Sequence, residues 1–369
     1  MTEKRKYFPR TLSALCAGAL VACLIGGVIF AGSIRSRNNA GKGVKVLKLG
    51  HGLPTEHPVH EAMLYMKERL KHHSNGTMDL AIYPSGMIGS EAECLKQTQN
   101  GHIDLSKTSS AVLESSVPEL TALGLPYGFR DGDLVEAGGF NQAKEKGKVR
   151  SEGKDYVFRD GEHFWKVLDG PIGKELGELT KGMRAICYYD SGQRSFYTTK
   201  KPVRTPDDLK GMKIRTQQSR LAMDIVSALG GAPTPIPWGE LYTALSQGTV
   251  DGAENNLPSF DTGRHMEVCR YFTLNEHTRV PDMLMISRQT WDSLTPQQKK
   301  WVELAAYESS LKQRELWKEA DKTAIARAKD HGVRFIEVDR KAFADKLKPL
   351  RENQPEAVLK YVKRIEQVK

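Results

Sequence analysis

The chain has 369 residues, 39% hydrophobic and 27% charged, which suits about two globular domains with real cores. Its formal net charge is +10, but residues 1–40 hold six Lys/Arg against one acid, so half of the excess belongs to the N-terminus. The remainder carries no basic stripe interleaved with aromatics, which argues against nucleic acid as a partner.

At the N-terminus Lys4, Arg5, Lys6 and Arg10 precede the uncharged run TLSALCAGALVACLIGGVIFAGSI (11–34), the pattern of an export signal. Residues 1–43 therefore read as a signal peptide or, given the length of the run, a membrane anchor. Leu20-Val21-Ala22-Cys23 also resembles a lipobox, which would place a lipid on Cys23. All three fates put the chain from about residue 44 outside the cytoplasm. Beyond it remain Cys94, Cys187 and Cys269, an odd, widely spaced set that forms neither a disulfide framework nor a zinc pattern. Buried free thiols are expected, with a single bridge as the alternative.

VKVLKLGHGL (44–53) alternates apolar and polar residues and then reaches glycine, as a strand running into a loop does. HPVHEAMLYMKERLKHHSNG (57–76) predicts an amphipathic helix, with Val59, Met63, Met66 and Leu70 on one stripe and Asn75-Gly76 as its stop. MDLAIYPSG, SEAECLKQTQNG and HIDLSKTSS continue as strand, helix and strand. This alternation predicts an α/β fold with a largely parallel sheet, whose ligands collect beyond the carboxyl ends of the strands.

YGFRDGD (127–133) and YVFRDGE (156–162) are near-copies 29 residues apart. The polar segment at about 130–157 reads as an insertion, a solvated excursion with no assigned role. Farther on, MRAICYYDSGQRSFYTT reads as a strand and its following loop. TPDDLKGMKIRTQQS opens with the capping signal Thr205, Pro206, Asp208. RLAMDIVSALGG and WGELYTALSQG read as helices, and TVDGAEN as a strand entering a loop. Residues 294–332 form one long helical pattern, opened by Thr295, Pro296 and Gln298 and closed by Gly332; at about 1.5 Å per residue it exceeds 50 Å.

No GxSxG, Walker loop, GxGxxG or HExxH occurs. His57, His60 and Glu61 lack further converging metal ligands, so exposed histidines at a helix start are the plainer expectation. Asp251 and Glu254 have a spacing too common to name an acid/base pair. With no nucleophile beside a base, an enzymatic reading has no mechanism, and neither metal nor cofactor is expected. What stands out is a set of hydrogen-bonding groups at strand ends: Arg194, Arg215, Asn255 and Asn256. A guanidinium fork fits a carboxylate in two parallel hydrogen bonds, and an amide both donates and accepts. Trp238, in PTPIPWGE, suits either a ligand-stacking wall or packing between lobes.

TPDDLKGMKIRTQQS, LGGAPTPIPWGELYTALSQGTVDGAENN and LPYGFRD, with YPSGMIGSEAE, FWKVLDGPIGKEL and PDMLMISRQTWDSL in the same order, resemble the extracytoplasmic substrate-binding proteins of TRAP (tripartite ATP-independent periplasmic) transporters. The resemblance runs from about residue 46 to the C-terminus, interrupted by the insertion. It implies a two-lobed periplasmic-binding-protein fold, a ligand cleft between the lobes and a long helix spanning both. Lobe I would take 44–190 plus about 281–315, and lobe II 191–280 plus about 316–369. The family's carboxylate-binding arginine falls on Arg215, a second ligand contact on Arg194, an amide contact on Asn255 and the aromatic wall on Trp238. First-lobe contacts fall around His51 and Ser109. DGAENNLPSF followed by YFTLNEHTRVPDMLMIS looks like the hexuronate-associated branch, where Asn256 and His277 would join the site. A C4-dicarboxylate held by Arg215 and Arg194 is the alternative ligand, and a ligand-sensing role the alternative use of the fold. The implied partners are a small carboxylate and the membrane permease subunits, in the periplasm.

Overall fold

A computed structural model describes residues 43–129 and 162–369, together with the backbone of three short strands in the insertion. The expected export segment lies outside the described residues except for Gly43, as does most of the insertion. The chain divides into two units, 1–45 and 46–369, and the second carries the two larger sheets apart from Lys45.

In chain order the strands are β1 (Lys45–Gly50), β2 (Met78–Tyr83), β3 (Leu105–Ser109), β4 (Leu134–Glu136), β5 (Lys148–Ser151) and β6 (Lys154–Phe158). They continue with β7 (Met183–Tyr189), β8 (Ser195–Thr198), β9 (Lys213–Thr216), β10 (Ala232–Pro235) and β11 (Gly252–Asn255). The last are β12 (Tyr271–Thr273), β13 (Asp282–Ser287) and β14 (Arg334–Ile336). One sheet has the order β2-β1-β3-β13-β7, the other β10-β9-β11-β8-β12-β14. Parallel pairing holds for β1 with β3 and for β9 with β10 and β11. It fails for β13, which runs antiparallel to β3 and β7, and for β8, antiparallel to β11 and β12. Both exceptions adjoin segments that carry the chain from one sheet to the other.

The segment read as one strand and a loop is two strands in different sheets. β7 belongs to the first, β8 to the second, and Asp190–Arg194 crosses between them. Leu274–Pro281 brings the chain back to β13. The two crossings pair with each other: Arg194 N donates to Thr278 O at 2.8 Å and His277 N to Arg194 O at 3.0 Å.

Helix α1 (Pro58–His73) forms as its pattern predicts. His57 caps it, Val59, Met63, Met66 and Leu70 are fully buried, and the chain turns out through Asn75 and Gly76 at φ 49° and 77°. The long helix α2 (Pro296–Asp330) starts on a reciprocal Thr295–Gln298 capping box and runs 35 residues, about 52 Å. Its Val302, Ala305 and Ala306 pack into the core of the first sheet, and Ala324, Ile325 and Ala328 into that of the second. The protein is thus a two-lobed α/β molecule with one helix shared between the lobes.

The capping signal at Thr205 is real, but it opens only a 3-10 turn, Pro206–Leu209, because β9 follows at Lys213. Within the insertion, the described strands β4, β6 and β5 pair into a separate antiparallel sheet, which its polarity did not suggest. Strands of three to five residues are too short to show a period. Cys94, Cys187 and Cys269 are buried free thiols.

Candidate functional site

A cavity of about 300 Å³ lies between the two sheets, a size suited to a small-molecule site. The loop after β1, the His57 cap of helix α1, the loop after β2, β3 and the start of β13 supply one side; β9, the turn at Trp238, β11 and its following helix supply the other. The crossing segment adds Ser191 and Arg194, and α2 adds Trp317.

Arg215 occupies the third position of β9 and is 4% exposed. Its Nε donates to Ile236 O at 2.8 Å, and its guanidinium carbon lies 6.0 Å from the Trp238 ring. No carboxylate pairs with it among the described residues, and burial pulls its proton affinity below the usual arginine value. A buried charge normally has a partner, so this guanidinium, which lines the cavity and is hydrogen-bonded only through Nε among the described residues, is an incomplete ion pair.

Arg194, equally buried, is almost fully engaged. Nη2 donates to Glu254 Oε1 and to Glu254 O, both at 2.9 Å, Nε donates to Glu254 Oε2, and Nη1 donates to Asn255 Oδ1 at 2.9 Å. Four of the five N–H groups of a guanidinium are then used. Burial opposes ionisation of Glu254, yet the Arg194 fork, with His277 behind it, holds its carboxyl at about 2.

Asn255 Oδ1 also accepts from Asn256 N at 2.9 Å and Asn256 Nδ2 at 3.0 Å. Three donors saturate that oxygen, so any contact of the Asn255 side chain with a ligand falls to its amide nitrogen, a donor, and Asn255 lines the cavity. Asn256 caps the following short helix by accepting from Ser259 N at 2.7 Å. Trp238 is half-buried, with its ring 5.0 Å from His265.

The histidines of HPVHE are buried, at 1% and 6% exposure, not exposed as expected. Val59 N donates to His57 Nδ1, which places the ring proton on Nε2, 3.3 Å from Ser259 Oγ. This contact joins the two sides of the cavity. Burial, with Lys107 nearby, keeps His57 neutral. His60 turns inward to meet His51 Nε2 at 3.0 Å.

The structure therefore gathers Arg215, Arg194, Asn255, Asn256 and Trp238 around one cavity. His51, Ser109 and His277 stand behind its wall. His51 is fully buried against His60, Ser109 gives its N–H to Glu91, and His277 stacks on Phe196 at 4.7 Å. In the KTSS segment around Ser109 it is Lys107 that lines the cavity, and sequence reasoning missed Glu91 and Asp282, which line it too. The available signal was a lysine in the middle of the strand LSKTS, whose five residues are all buried.

Two lobes joined by two crossing segments and a shared helix, with an unpaired cation lining the cavity between them, define a two-lobed solute-binding protein. Residues 49–356 match the bacterial extracellular solute-binding proteins of family 7 (DctP), and the chain belongs to that family. It is 33% identical to the uncharacterized protein YiiZ of Salmonella typhimurium over 84% of this chain and 86% of that one. A TRAP periplasmic solute-binding protein from Bradyrhizobium sp. BTAi1, in complex with galacturonate, superposes with a TM-score of 0.78 at 34% identity, over 87% of this chain and 99% of that one. One from Pseudomonas putida F1 with bound D-glucuronate gives 0.76 at 31% identity, over 88% and 97%.

Proposed function

We propose that the protein captures a hexuronate, such as D-glucuronate or D-galacturonate, outside the cytoplasm and delivers it to a TRAP membrane permease without transforming it. The observation that carries this reading is the buried, unpaired guanidinium of Arg215 at a cavity of about 300 Å³. The uronate-bound relatives support the choice of acid.

In this reading Arg215 takes the ligand carboxylate in a bidentate grip, Asn255 donates to it or to a neighbouring hydroxyl, and Trp238 covers an apolar sugar face. Asn256 and the remaining N–H of Arg194 complete the donor side. The lobes comprise 44–190 with about 281–315, and 191–280 with about 316–369, hinged at Asp190–Arg194 and Leu274–Pro281. Closure removes water from around the Arg215–carboxylate pair and so strengthens it. Ligand favours the closed state by the contacts made only there. The N-terminal run, whether removed or retained as an anchor, serves export.

A C4-dicarboxylate clamped between Arg215 and Arg194 fits less well, because Arg194 already holds Glu254. Isothermal calorimetry against D-glucuronate, D-galacturonate, succinate and malate tests the proposal. The expected result is micromolar or tighter uronate binding, about −8 kcal/mol or better. Binding of the C4-diacids with none of the uronates would overturn it.

A further inference from the structure

Across the cavity from Arg215 stand three charged side chains to which the carboxylate reading gives no task. Lys107, on β3, is 6% exposed, with its Nζ 3.0 Å from Asp282 Oδ1 and 3.4 Å from Glu91 Oε1. β13 pairs Asp282 with Ser109, which sets Lys107 diagonal to Asp282 on the same face of the sheet. Glu91 opens the helix Glu91–Gln99, and its Oε1 also accepts the Ser109 N–H at 2.6 Å. All three residues line the cavity. Glu91 is close enough to Arg215 to act on its charge, and Asp282 to act on that of Arg194.

Burial raises the Asp282 carboxyl and Lys107 opposes the rise, so two carboxylates against one ammonium give this wall at most one net negative charge. Burial alone would weaken the hold of Lys107 on its proton, but Asp282 and Glu91 outweigh it, so the ammonium persists. Its two ion pairs leave one N–H of three. Glu91 Oε2 and Asp282 Oδ2 have no partner among the described residues. The wall can therefore accept two O–H groups and donate one N–H, a pattern that suits adjacent hydroxyls. A second carboxylate would meet like charge at close range in a partly dry site.

We infer that Glu91, Lys107 and Asp282 read the neutral, hydroxyl-bearing end of the ligand and reject a second carboxylate there. The inference rests on the hexuronate reading for the end held by Arg215. It narrows the substrate class to monocarboxylates with a polyol or sugar remainder.

The test compares D-galacturonate with galactarate, the six-carbon diacid that carries a carboxylate where the uronate has its anomeric carbon. Dissociation constants are measured by calorimetry on the wild type, Glu91→Gln and Asp282→Asn, with melting temperatures confirming that each variant is folded. Wild type should prefer D-galacturonate at least tenfold, and at least one variant should narrow that preference tenfold or more. A wild type that binds galactarate as well as the uronate, or a preference unchanged in both variants, overturns the inference and leaves Arg215 in place. Failure of the uronate reading looks different: the wild type binds neither D-galacturonate nor D-glucuronate, and this inference falls with it.

Discussion

Arg194 grips the Glu254 carboxylate with two parallel hydrogen bonds, Nε to Oε2 and Nη2 to Oε1, inside the same wall that leaves Arg215 without a carboxylate. The neighbouring arginines thus divide two tasks. One closes a structural pair within its own lobe, and the other holds an open coordination site.

Removing Glu254 should damage the fold before the ligand. Glu254→Gln leaves a buried guanidinium uncompensated, a loss of about 3–5 kcal/mol, read as a lower urea midpoint. The Glu254 carboxyl titrates at about 2, against 4.5 for a free one. Its stabilisation is therefore complete above about pH 4.5 and declines as pH falls from there through about 2. The variant should lack this part of the acid loss.

Arg215 should behave in the opposite sense. Arg215→Met removes a buried charge that no carboxylate balances, so the ligand-free protein keeps or gains thermal stability. Uronate affinity should fall by about 2–5 kcal/mol, thirtyfold or more. A variant that binds as tightly as wild type in calorimetry would place the ligand elsewhere.

Glu114 offers a second pH dependence. It is 7% exposed and accepts from Ser219 Oγ at 2.7 Å, yet burial pushes its carboxyl up to about 7. An acid whose folded value is raised stabilises less once ionised, so its contribution declines as pH rises from about 4.5 through about 7. Glu114→Gln should match the parent near pH 4 and exceed it at pH 8 by up to about 3 kcal/mol. Equal urea midpoints at pH 8 would contradict this.

Buried neutral histidines set the acid limit. Burial lowers both His51 and His265 to about 3, with His60 and Lys107 adding to the shift at His51 and Arg215 at His265. A lowered histidine costs nothing above its ordinary 6.5 and destabilises progressively as pH falls toward about 3. In the Glu114→Gln background, which removes the opposing gain from Glu114, the melting temperature should already decline between pH 6.5 and 5, before Glu254 begins to titrate. A flat profile over that interval would mean that these rings protonate in place.

Helix α1 and the long helix α2 were legible because each carries its own stop signals and an apolar stripe of the right period, which are local properties. The two sheets were only half legible. YYDSGQRS holds no mark that a sheet ends at Tyr189 and another begins at Ser195, because the crossing is paired by Leu274–Pro281, some eighty residues later. His57 and His60 looked like surface residues for the same reason: their partners are Ser259 and His51, and the first is 202 positions away.

The sequence alone determined the α/β class, the shared helix, the family and the presence of two strand-end arginines. Those follow from periodicity, capping residues and ordered motifs carried along the chain. Which arginine is free was decided only by the tertiary structure. In the sequence both stand at the edge of an apolar run and look alike, but the antiparallel register of β8 against β11 sets Glu254 against Phe196, beside Arg194, while among the described residues no carboxylate pairs with Arg215 in β9. Charge pairing is a matter of distance in three dimensions, and 60 residues separate Arg194 from the acid that neutralises it.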